Sequence, residues 1–266
     1  MFDSIAGDYD ALNHILSLDV DKIWRRKALK QIVDAPAPVQ VLDLACGTGD
    51  FSIAIAKALS RSHKRVGTPI EAHVKAPAKA PVEAQVTSTG FVTGDSGRSD
   101  LMTKGHVTGV DLSEGMLAVM REKVGKAGLT EMISIEEGDG ENLRFPDNTF
   151  DRVTIAFGIR NFEDRPKGLR EMLRVLKPGG RLVILELSRP ENKIIRWFYD
   201  LYFLHILPKV GGKVSGDKAA YAYLPASVAA FPGKKAFMAT MREAGFRTVT
   251  HKAFTLGICR MYTGEK

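Results

Sequence analysis

The chain has 266 residues, 44% of them hydrophobic, which is enough apolar surface to bury the core of one large domain. No apolar run approaches the roughly 20 residues that a membrane-spanning helix needs, and the amino terminus lacks the basic and apolar blocks of a signal peptide, so we expect a cytoplasmic protein. Cys46 and Cys259 are too far apart in sequence to predict a metal site or a disulfide framework. The formal net charge of +7 favours anionic partners, either nucleic acid or lipid headgroups, without choosing between them.

The amino-terminal segment, residues 2–24, mixes apolar and polar side chains at helical spacing and leads into a basic run at residues 22–30. This spacing predicts helices. We expect residues 1–34 to form an amino-terminal helical cap across the mouth of a ligand site.

The stretch Val41–Asp50, VLDLACGTGD, predicts a strand, a tight turn and the start of a helix. Its first residues are a short apolar run, typical of a buried strand. Gly47 and Gly49 follow, where the chain must turn sharply and bring its backbone close to a ligand. Residues 50–59 then have helical periodicity. In such a βα unit the ligand lies at the carboxyl end of the strand, although a tight turn without a ligand is the alternative.

Two features of this turn narrow the choice of ligand. A third glycine at the dinucleotide spacing is missing, since Gly49 is followed by Asp50, Phe51 and Ser52, which argues against NAD or FAD. Asp43 lies near the end of the strand, where a carboxylate suits a cationic or hydroxyl-rich ligand.

The segment from residue 61 to residue 105 differs from the rest of the chain. It is rich in Ala, Pro, Thr, Ser, Gly and Lys and has no sustained periodicity. Such a segment buries too little apolar surface to offset its ordering entropy. We expect residues 61–105 to be a disordered insertion, the alternative being an arm that binds a partner or an anionic surface.

The second strand, His106–Asp111, ends in an acidic residue. A carboxylate at this place can accept hydrogen bonds from both ribose hydroxyls of a nucleoside. The alternative role of Asp111, a charge at the amino end of the next helix, is less needed because Ser113 fits the capping position better. That helix should run to about Lys126.

Two more strands are predicted at residues 132–136 and 150–157, with a polar loop between them at residues 137–147. Arg160 and Asn161 follow the carboxyl end of the fourth strand, where substrates react in such sheets. A helix at residues 166–176 should stop at a proline and glycine breaker, residues 177–180, before a fifth strand at residues 181–187.

The alternation of strands and helices pauses at residues 192–231, for which we expect a helical substrate cap. Residues 194–207 are dense in aromatic and aliphatic side chains but too few to span a bilayer. They predict a buried cap helix, or a helix with one face along the path of an apolar substrate chain or in the membrane interface. A helix at residues 234–244 and strands at 246–250 and 255–262 complete a seven-stranded, mostly parallel sheet with an antiparallel carboxyl-terminal hairpin.

These motifs resemble a known family. Asp43, Gly47 and Gly49 match D-x-x-x-G-x-G, the first motif of class I S-adenosylmethionine-dependent methyltransferases. The chain also resembles the menaquinone and ubiquinone biosynthesis C-methyltransferases, whose amino-terminal signature it matches at Tyr9, Asp10, Asn13, Leu16, Ser17 and Trp24. It departs from that signature in two places: Leu12 replaces a methionine, and residues 20–21 lack the usual histidine. Residues 174–180 match the second signature of that family, and residues 221–232 also fit it in order.

The resemblance implies a fold, a cofactor and a set of contacts. It implies an α/β, Rossmann-like class I methyltransferase in a single domain, residues 1–266, that uses S-adenosylmethionine. The positions that it places at the cofactor are Thr48, Asp111, Asp139, Gly140 and Ala156. Ala156 is often serine in the family, so a hydroxyl contact is missing here.

The reaction that the resemblance implies is transfer of a methyl group to a ring carbon of a polyprenylated hydroquinone, either demethylmenaquinol or the ubiquinone precursor. A hydroquinone hydroxyl should titrate near a phenol, with a pKa of about 10, and its ionisation makes the adjacent ring carbon electron-rich. The resemblance points to Tyr9, Arg160 and Asn161 around the substrate. The Arg160 cation would stabilise the phenolate, while Asn161 and Tyr9 hold the hydroxyl or a water.

Three rival functions stay open at this point. A nicotinamide oxidoreductase would share the fold but should have the third glycine. An RNA methyltransferase would explain the charge, yet no basic stripe alternates with aromatic residues, so we expect no nucleic-acid partner. A methyltransferase of another lipid-like molecule is the nearest competitor. We expect transient contact with a membrane surface and leave a homo-oligomer open.

Overall fold

The computed structural model describes residues 19–34, 39–66, 105–202 and 218–266. Seven strands and seven α-helices follow one another in these ranges. In chain order they are α1 Val20–Ile32, β1 Gln40–Leu44, α2 Asp50–Val66, β2 His106–Asp111, α3 Glu114–Lys126, β3 Ile133–Glu137, β4 Phe150–Ala156, α4 Arg165–Val175, β5 Leu176–Leu187, α5 Lys193–Leu201, α6 Lys218–Ala230, α7 Lys234–Glu243, β6 Arg247–Phe254 and β7 Cys259–Glu265.

The strands form one sheet in the order β3-β2-β1-β4-β5-β7-β6. Pairing is parallel from β3 to β5, and β7 is antiparallel to both of its neighbours. The chain order reverses between β1 and β4, and such a switch point opens a crevice at the carboxyl ends of the strands. The prediction of a seven-stranded sheet with an antiparallel hairpin is therefore confirmed.

Helices cover both faces of the sheet because its central strands are apolar on both sides. In β1, Val41 faces a core layer that includes Trp24 and Ile32 of α1. Leu42 and Leu44 belong to the opposite layer, together with side chains of α4 and α7. The alternation follows the period of two in a strand, so one short apolar run anchors both layers.

Helix α1 joins the core. Its Trp24, Ala28 and Ile32 are buried in the layer over β1 and β5, and the Trp24 indole Nε1 donates a hydrogen bond to Thr255 Oγ1 at 2.9 Å. This part of the predicted amino-terminal cap therefore belongs to the helical layer that covers one face of the sheet. Residues 1–18, for which the cap over the ligand site was also predicted, lie outside the described residues.

Several element boundaries differ from the predicted ones. Helix α2 runs to Val66, so the expected start of an insertion at residue 61 is wrong, and the remainder of that segment, residues 67–104, lies outside the described residues. Strand β5 begins at Leu176, which pairs with Phe150 of β4. The predicted breaker is a register shift inside this strand, where Gly179 has φ +76° and allows a bulge without ending the pairing.

The carboxyl-terminal boundaries also moved. Strands β6 and β7 run from Arg247 to Phe254 and from Cys259 to Glu265, later than predicted, because the apolar residues near position 255 form a 3₁₀ turn, Thr255–Gly257. Of the predicted helix at residues 194–207, the described part is α5, which ends at Leu201. In the described part of the chain, every helix is too short or too polar to cross a membrane.

Candidate active site

A cavity of about 470 Å³ opens at the carboxyl ends of β1, β2 and β4, at the switch point of the sheet. Six of the residues predicted from the sequence line it: Gly47, Asp111, Asp139, Gly140, Ala156 and Asn161. They come from four separate segments, which the parallel strands bring to one edge. The other lining residues are Ala45, Val110, Leu112, Ser113, Met116, Gly138, Glu141, Phe157, Gly158, Phe162 and Glu163.

The turn after β1 is built from left-handed backbone. Gly47 has φ +56° and Gly49 has φ +83°. A Cβ on Gly49 would lie 2.4 Å from Met120 Cγ, so this glycine allows α3 to pack against the turn. A Cβ on Gly47 would meet no atom within 4 Å and would project into the cavity. Gly49 is thus required by packing, whereas Gly47 leaves room for a ligand against the backbone.

Asp111 connects the ends of β1 and β2. Its Oδ2 accepts a hydrogen bond from the backbone N–H of Gly47 at 2.8 Å, and its Oδ1 accepts one from Ser113 N at 2.9 Å. Asp111 also lines the cavity, so its carboxylate lies in the cavity wall. The capping alternative is met by Ser113, whose hydroxyl accepts from Met116 N. Asp111 therefore both shapes the turn and lines the cavity.

The loop after β3 forms another wall of the cavity. Asp139 Oδ1 accepts a hydrogen bond from the backbone N–H of Glu141 at 2.8 Å. This bond closes a turn around Gly140. A Cβ on Gly140 would lie 2.6 Å from the Phe162 ring, so the glycine permits this aromatic side chain to close the wall. Arg174 of α4 holds the loop by donating to the carbonyl oxygens of Leu143 and Phe145.

Four predicted site residues do not line the cavity, and Tyr9 lies outside the described residues. Thr48 is buried, and its hydroxyl accepts a hydrogen bond from Lys123 Nζ at 3.3 Å. Gly49 faces Met120. Asp43 is buried beneath the turn, where its Oδ2 accepts a 2.5 Å hydrogen bond from the Ser52 hydroxyl. These three residues support the turn from below.

Burial raises the pKa of the Asp43 carboxyl. Desolvation raises the pKa of its carboxyl to about 7, against the opposing effects of the Ser52 hydrogen bond and the nearby Arg25 cation. Asp111 raises this pKa further through charge repulsion. The residue that the family motif singles out is therefore a buried carboxyl that titrates near neutral pH.

Arg160, the fourth residue, is buried beside the cavity. Its Nη1 donates to Glu186 Oε1 at 2.9 Å, its backbone N–H to Glu186 Oε2 at 3.1 Å, and its Nε to the Ser227 hydroxyl at 3.3 Å. Glu186 is fully buried. The guanidinium charge is thus compensated within the protein, and its contacts connect β5, the turn after β4 and helix α6.

Arg160 also holds a strained residue. Phe157 follows β4 directly and has φ +62°, which is unfavourable for an aromatic residue. The Arg160 guanidinium donates to the carbonyl oxygen of Phe157, and the Phe157 ring packs near Trp24. Such strain persists only where the surroundings over-determine it, and it is concentrated at functional sites.

Asn161 faces the cavity and has a partner that the sequence analysis missed. The hydroxyl of Tyr223, on helix α6, donates to Asn161 Oδ1 at 2.8 Å. This bond turns the amide Nδ2 away from Tyr223. Glu186 was missed as well. Tyr223 lies in the predicted cap, where an aromatic residue signals packing, and Glu186 is an acidic residue inside an apolar strand, a weak signal of a buried charge pair.

The described residues contain no group of three or more His, Cys, Asp or Glu side chains that could hold a metal ion. The glycine turn, the acidic end of β2 and the cavity at the switch point, on a sheet in the order 3-2-1-4-5-7-6, define a class I methyltransferase. A SAM-dependent methyltransferase from Aquifex aeolicus has the same fold, with a TM-score of 0.53 and 19% identity over 90% of this chain and 88% of that one.

The chain belongs to the ubiE/COQ5 methyltransferase family, whose model matches residues 1–266. A demethylmenaquinone methyltransferase of Bacteroides fragilis is 40% identical over 266 residues, which cover all of this chain and 91% of that protein. A ubiquinone/menaquinone biosynthesis C-methyltransferase of Geobacter sulfurreducens is 43% identical, over all of this chain and 87% of that protein. The family resemblance predicted from the sequence is confirmed.

Alanine substitutions should separate the two glycines of the turn. Gly49→Ala should destabilise the protein by about 2–5 kcal/mol, because left-handed backbone and overpacking against Met120 add together. Gly47→Ala should lose only about 1–2 kcal/mol of stability. It should bind S-adenosylhomocysteine at least about tenfold more weakly, because the alanine side chain takes up space at the cavity wall. Urea unfolding and calorimetry measure the two effects, and unchanged affinity in Gly47→Ala would place the ligand away from this turn.

The raised pKa of Asp43 predicts a pH-dependent stability. Between its unfolded value of about 4 and its folded value of about 7, the folded state binds more protons than the unfolded state, so the free energy of unfolding falls as pH rises through this window. The free energy of unfolding of Asp43→Asn, measured relative to that of wild type, should therefore rise by on the order of 1 kcal/mol for each unit of increasing pH in this window. Urea unfolding at pH 5, 6, 7 and 8 tests this. Parallel curves for the two proteins would show that Asp43 does not titrate there.

The buried pair of Arg160 and Glu186 predicts strong coupling. Arg160→Met should cost about 3–5 kcal/mol because it leaves the Glu186 carboxylate buried without its cation. Glu186→Gln in the same chain should restore at least half of this, a non-additivity that a double-mutant cycle in urea measures. The exposed pair of Arg121 and Glu114 is the matched control, for which the same cycle should show little coupling. Equal, small coupling in both cycles would contradict the assignment.

Proposed function

We propose that this protein transfers a methyl group from S-adenosylmethionine to the ring of demethylmenaquinol, giving menaquinol in menaquinone biosynthesis. The observation that carries the proposal is the full-length match to the family and to relatives named for this reaction. The alternative substrate is the ubiquinone precursor, which the name of the Geobacter sulfurreducens relative includes. The cavity supports the proposal because it offers both a nucleoside site and an adjoining polar group at one edge of the sheet.

The residues present fit S-adenosylmethionine. Gly47 leaves open space where a Cβ would project, which allows close approach to the backbone of the turn. Asp111 lines the cavity with a carboxylate, a group that suits ribose hydroxyls, and Asp139 lines it at a position that the family resemblance places at the cofactor. Bound S-adenosylmethionine supplies an activated methyl group on a sulfonium, so the protein must align donor and acceptor and exclude water.

The acceptor carbon is activated by ionisation of the neighbouring hydroxyl. We assign the stabilisation of that oxygen to Asn161, which lines the cavity. Because Tyr223 donates to its Oδ1, the amide Nδ2 is free to orient as a donor toward the cavity. A preorganised donor of this kind stabilises the phenolate without reorganisation during the reaction.

Arg160 acts differently in this proposal from the sequence-based expectation. With its charge compensated by Glu186, its contribution is to hold the turn that carries Asn161 and to connect that turn to α6 through Ser227. It is therefore a positioning residue. Tyr9 as a substrate contact stays a prediction.

Methyl transfer by the purified protein tests the proposal. With S-adenosylmethionine and a demethylmenaquinol that carries one prenyl unit, we expect methylated quinol, and no product from the oxidised quinone, which has no hydroxyl to ionise. Asn161→Ala should lower kcat about 100-fold, on the scale of losing one oxyanion donor, with cofactor affinity unchanged. Tyr223→Phe should lower kcat less and shift the rising limb of the pH–rate profile to higher pH.

The matched control for Tyr223 is Tyr262, whose buried hydroxyl has no hydrogen-bond partner in the described part of the chain. Tyr262→Phe should leave kcat and the pH profile as in wild type. Equal rates on quinone and quinol would refute activation by ionisation. Faster turnover of the ubiquinone precursor than of demethylmenaquinol would favour the alternative substrate.

A further inference from the structure

The exposed large apolar side chains of the described residues all lie at one end of the molecule. Leu112 follows β2 directly and lines the cavity. Six others surround the end of β5 and form what we call the apolar rim: Ile23, Ile194, Trp197, Phe198, Leu201 and Leu256. This is the edge of the sheet at which the cavity opens. Scattered surface apolar residues are normal, but their confinement to one end is not.

Helix α5 contributes most of the rim. Ile194, Trp197, Phe198 and Leu201 are spaced at i, i+3, i+4 and i+7, so they share one face of the helix. Trp197 and Phe198 are each 61% exposed. Tyr199, on the other face, is buried. The Asn192 side chain caps the first turn of the helix by accepting from Ile194 N. The aromatic face of the helix is directed outward.

Two other elements extend this face. The 3₁₀ turn that carries Leu256, which is 71% exposed, is tied to the strand leading into α5, because Ser188 N donates to Ile258 O at 2.8 Å. Leu256 has φ +57°, a left-handed conformation that holds an exposed leucine outward at a conformational cost. Ile23 precedes Trp24 in α1, and Trp24 donates a hydrogen bond to Thr255 of the same turn.

The charges around the rim favour an anionic partner. Its acidic side chains are engaged by cations: Asp19 by Lys22, Asp200 by Arg189, and Glu191 by Lys234 and Arg260. Lys27, over the Phe254 ring at 5.0 Å, and Lys193, at the start of α5, are exposed in addition. Aromatic side chains beside exposed cations match the interface of an anionic bilayer.

We propose that the apolar rim is a docking surface for an anionic lipid bilayer, which brings the cavity to the membrane surface. The inference rests on the proposed function, because a hydroquinone with a polyprenyl tail resides in the bilayer and only its ring enters the cavity. Trp197 and Phe198 insert at the headgroup level, and Lys27 and Lys193 contact lipid phosphates. Docking is reversible, since a single short helix buries little apolar surface.

Vesicle binding by the full chain tests the surface. Wild type should cosediment with vesicles of phosphatidylcholine containing one third phosphatidylglycerol, and only weakly with pure phosphatidylcholine. The triple variant Ile194→Ser, Trp197→Ser, Phe198→Ser should bind at least about tenfold more weakly, and because these side chains are exposed its Tm should stay near that of wild type. Brominated lipid should quench the fluorescence of Trp197, and the Trp197→Phe variant should show little quenching.

A pair of double variants isolates the charge contribution. Lys27→Ala with Lys193→Ala should weaken binding about 25-fold, from roughly fivefold per cation near the surface. Lys126→Ala with Arg247→Ala, two exposed cations at the opposite edge of the sheet, is the matched control and should bind as wild type does. Equal losses in both pairs would reduce the effect to net charge and overturn the assignment.

Turnover separates this inference from the proposed function. The triple variant should methylate the one-prenyl quinol in solution at the wild-type rate and lose rate only on a long-chain quinol in vesicles. Absence of methylation of either quinol by wild type would refute the proposed function and leave the binding result to stand. Wild type that ignores anionic vesicles, or a triple variant that loses only self-association or binding to a protein, would overturn the lipid surface.

Discussion

The two backbone hydrogen bonds that Asp111 accepts are the interaction on which the site depends. They join the turn after β1 to the start of α3, and so connect two strands at the point where the order of the sheet reverses. A carboxylate here accepts from one N–H group at a helix start and from another in a left-handed turn. The shape of the cavity and its carboxylate are thus consequences of one contact.

The site is surrounded by features that reduce stability. A carboxyl buried under the turn, a buried ion pair beside it and a left-handed phenylalanine at the end of β4 are each unfavourable in isolation. They are supported by the apolar layers on both faces of the sheet. Contacts from β5 and α6 hold the turn after β4, and the Tyr223 hydroxyl bonds to Asn161 at the cavity wall.

The cavity and the exposed apolar residues lie at the same edge of the sheet. Parallel strands bring their carboxyl ends together, and the antiparallel β7 returns its first residue to the same edge, where Leu187 pairs with Cys259. The 3₁₀ turn before β7, the helix after β5 and the cavity are therefore neighbours. Topology thus places the exposed apolar residues at the edge of the sheet where the cavity opens.

Much of the architecture follows from local sequence. A short apolar run predicted β1, and Ser113 was identified as a helix cap that the structure contains. Boundaries failed where local signals were ambiguous. The proline and two glycines at residues 178–180 end a helix in most contexts. Here pairing with β4 continues across them, because a strand partner supplies hydrogen bonds that the local sequence does not encode.

The sequence by itself determined the class of fold, the glycine turn and the acidic end of β2, because each is written in a few adjacent residues. Only the tertiary structure decided that Arg160 is paired with Glu186, that Tyr223 orients Asn161, and that Asp43 lies beneath the cavity. Tyr223 and Asn161 are 62 positions apart, and Arg160 and Glu186 are 26 apart. The physical reason is that such partners meet only when the strands and helix α6 pack, and desolvation, which sets the acidity of Asp43, exists only once that packing is complete.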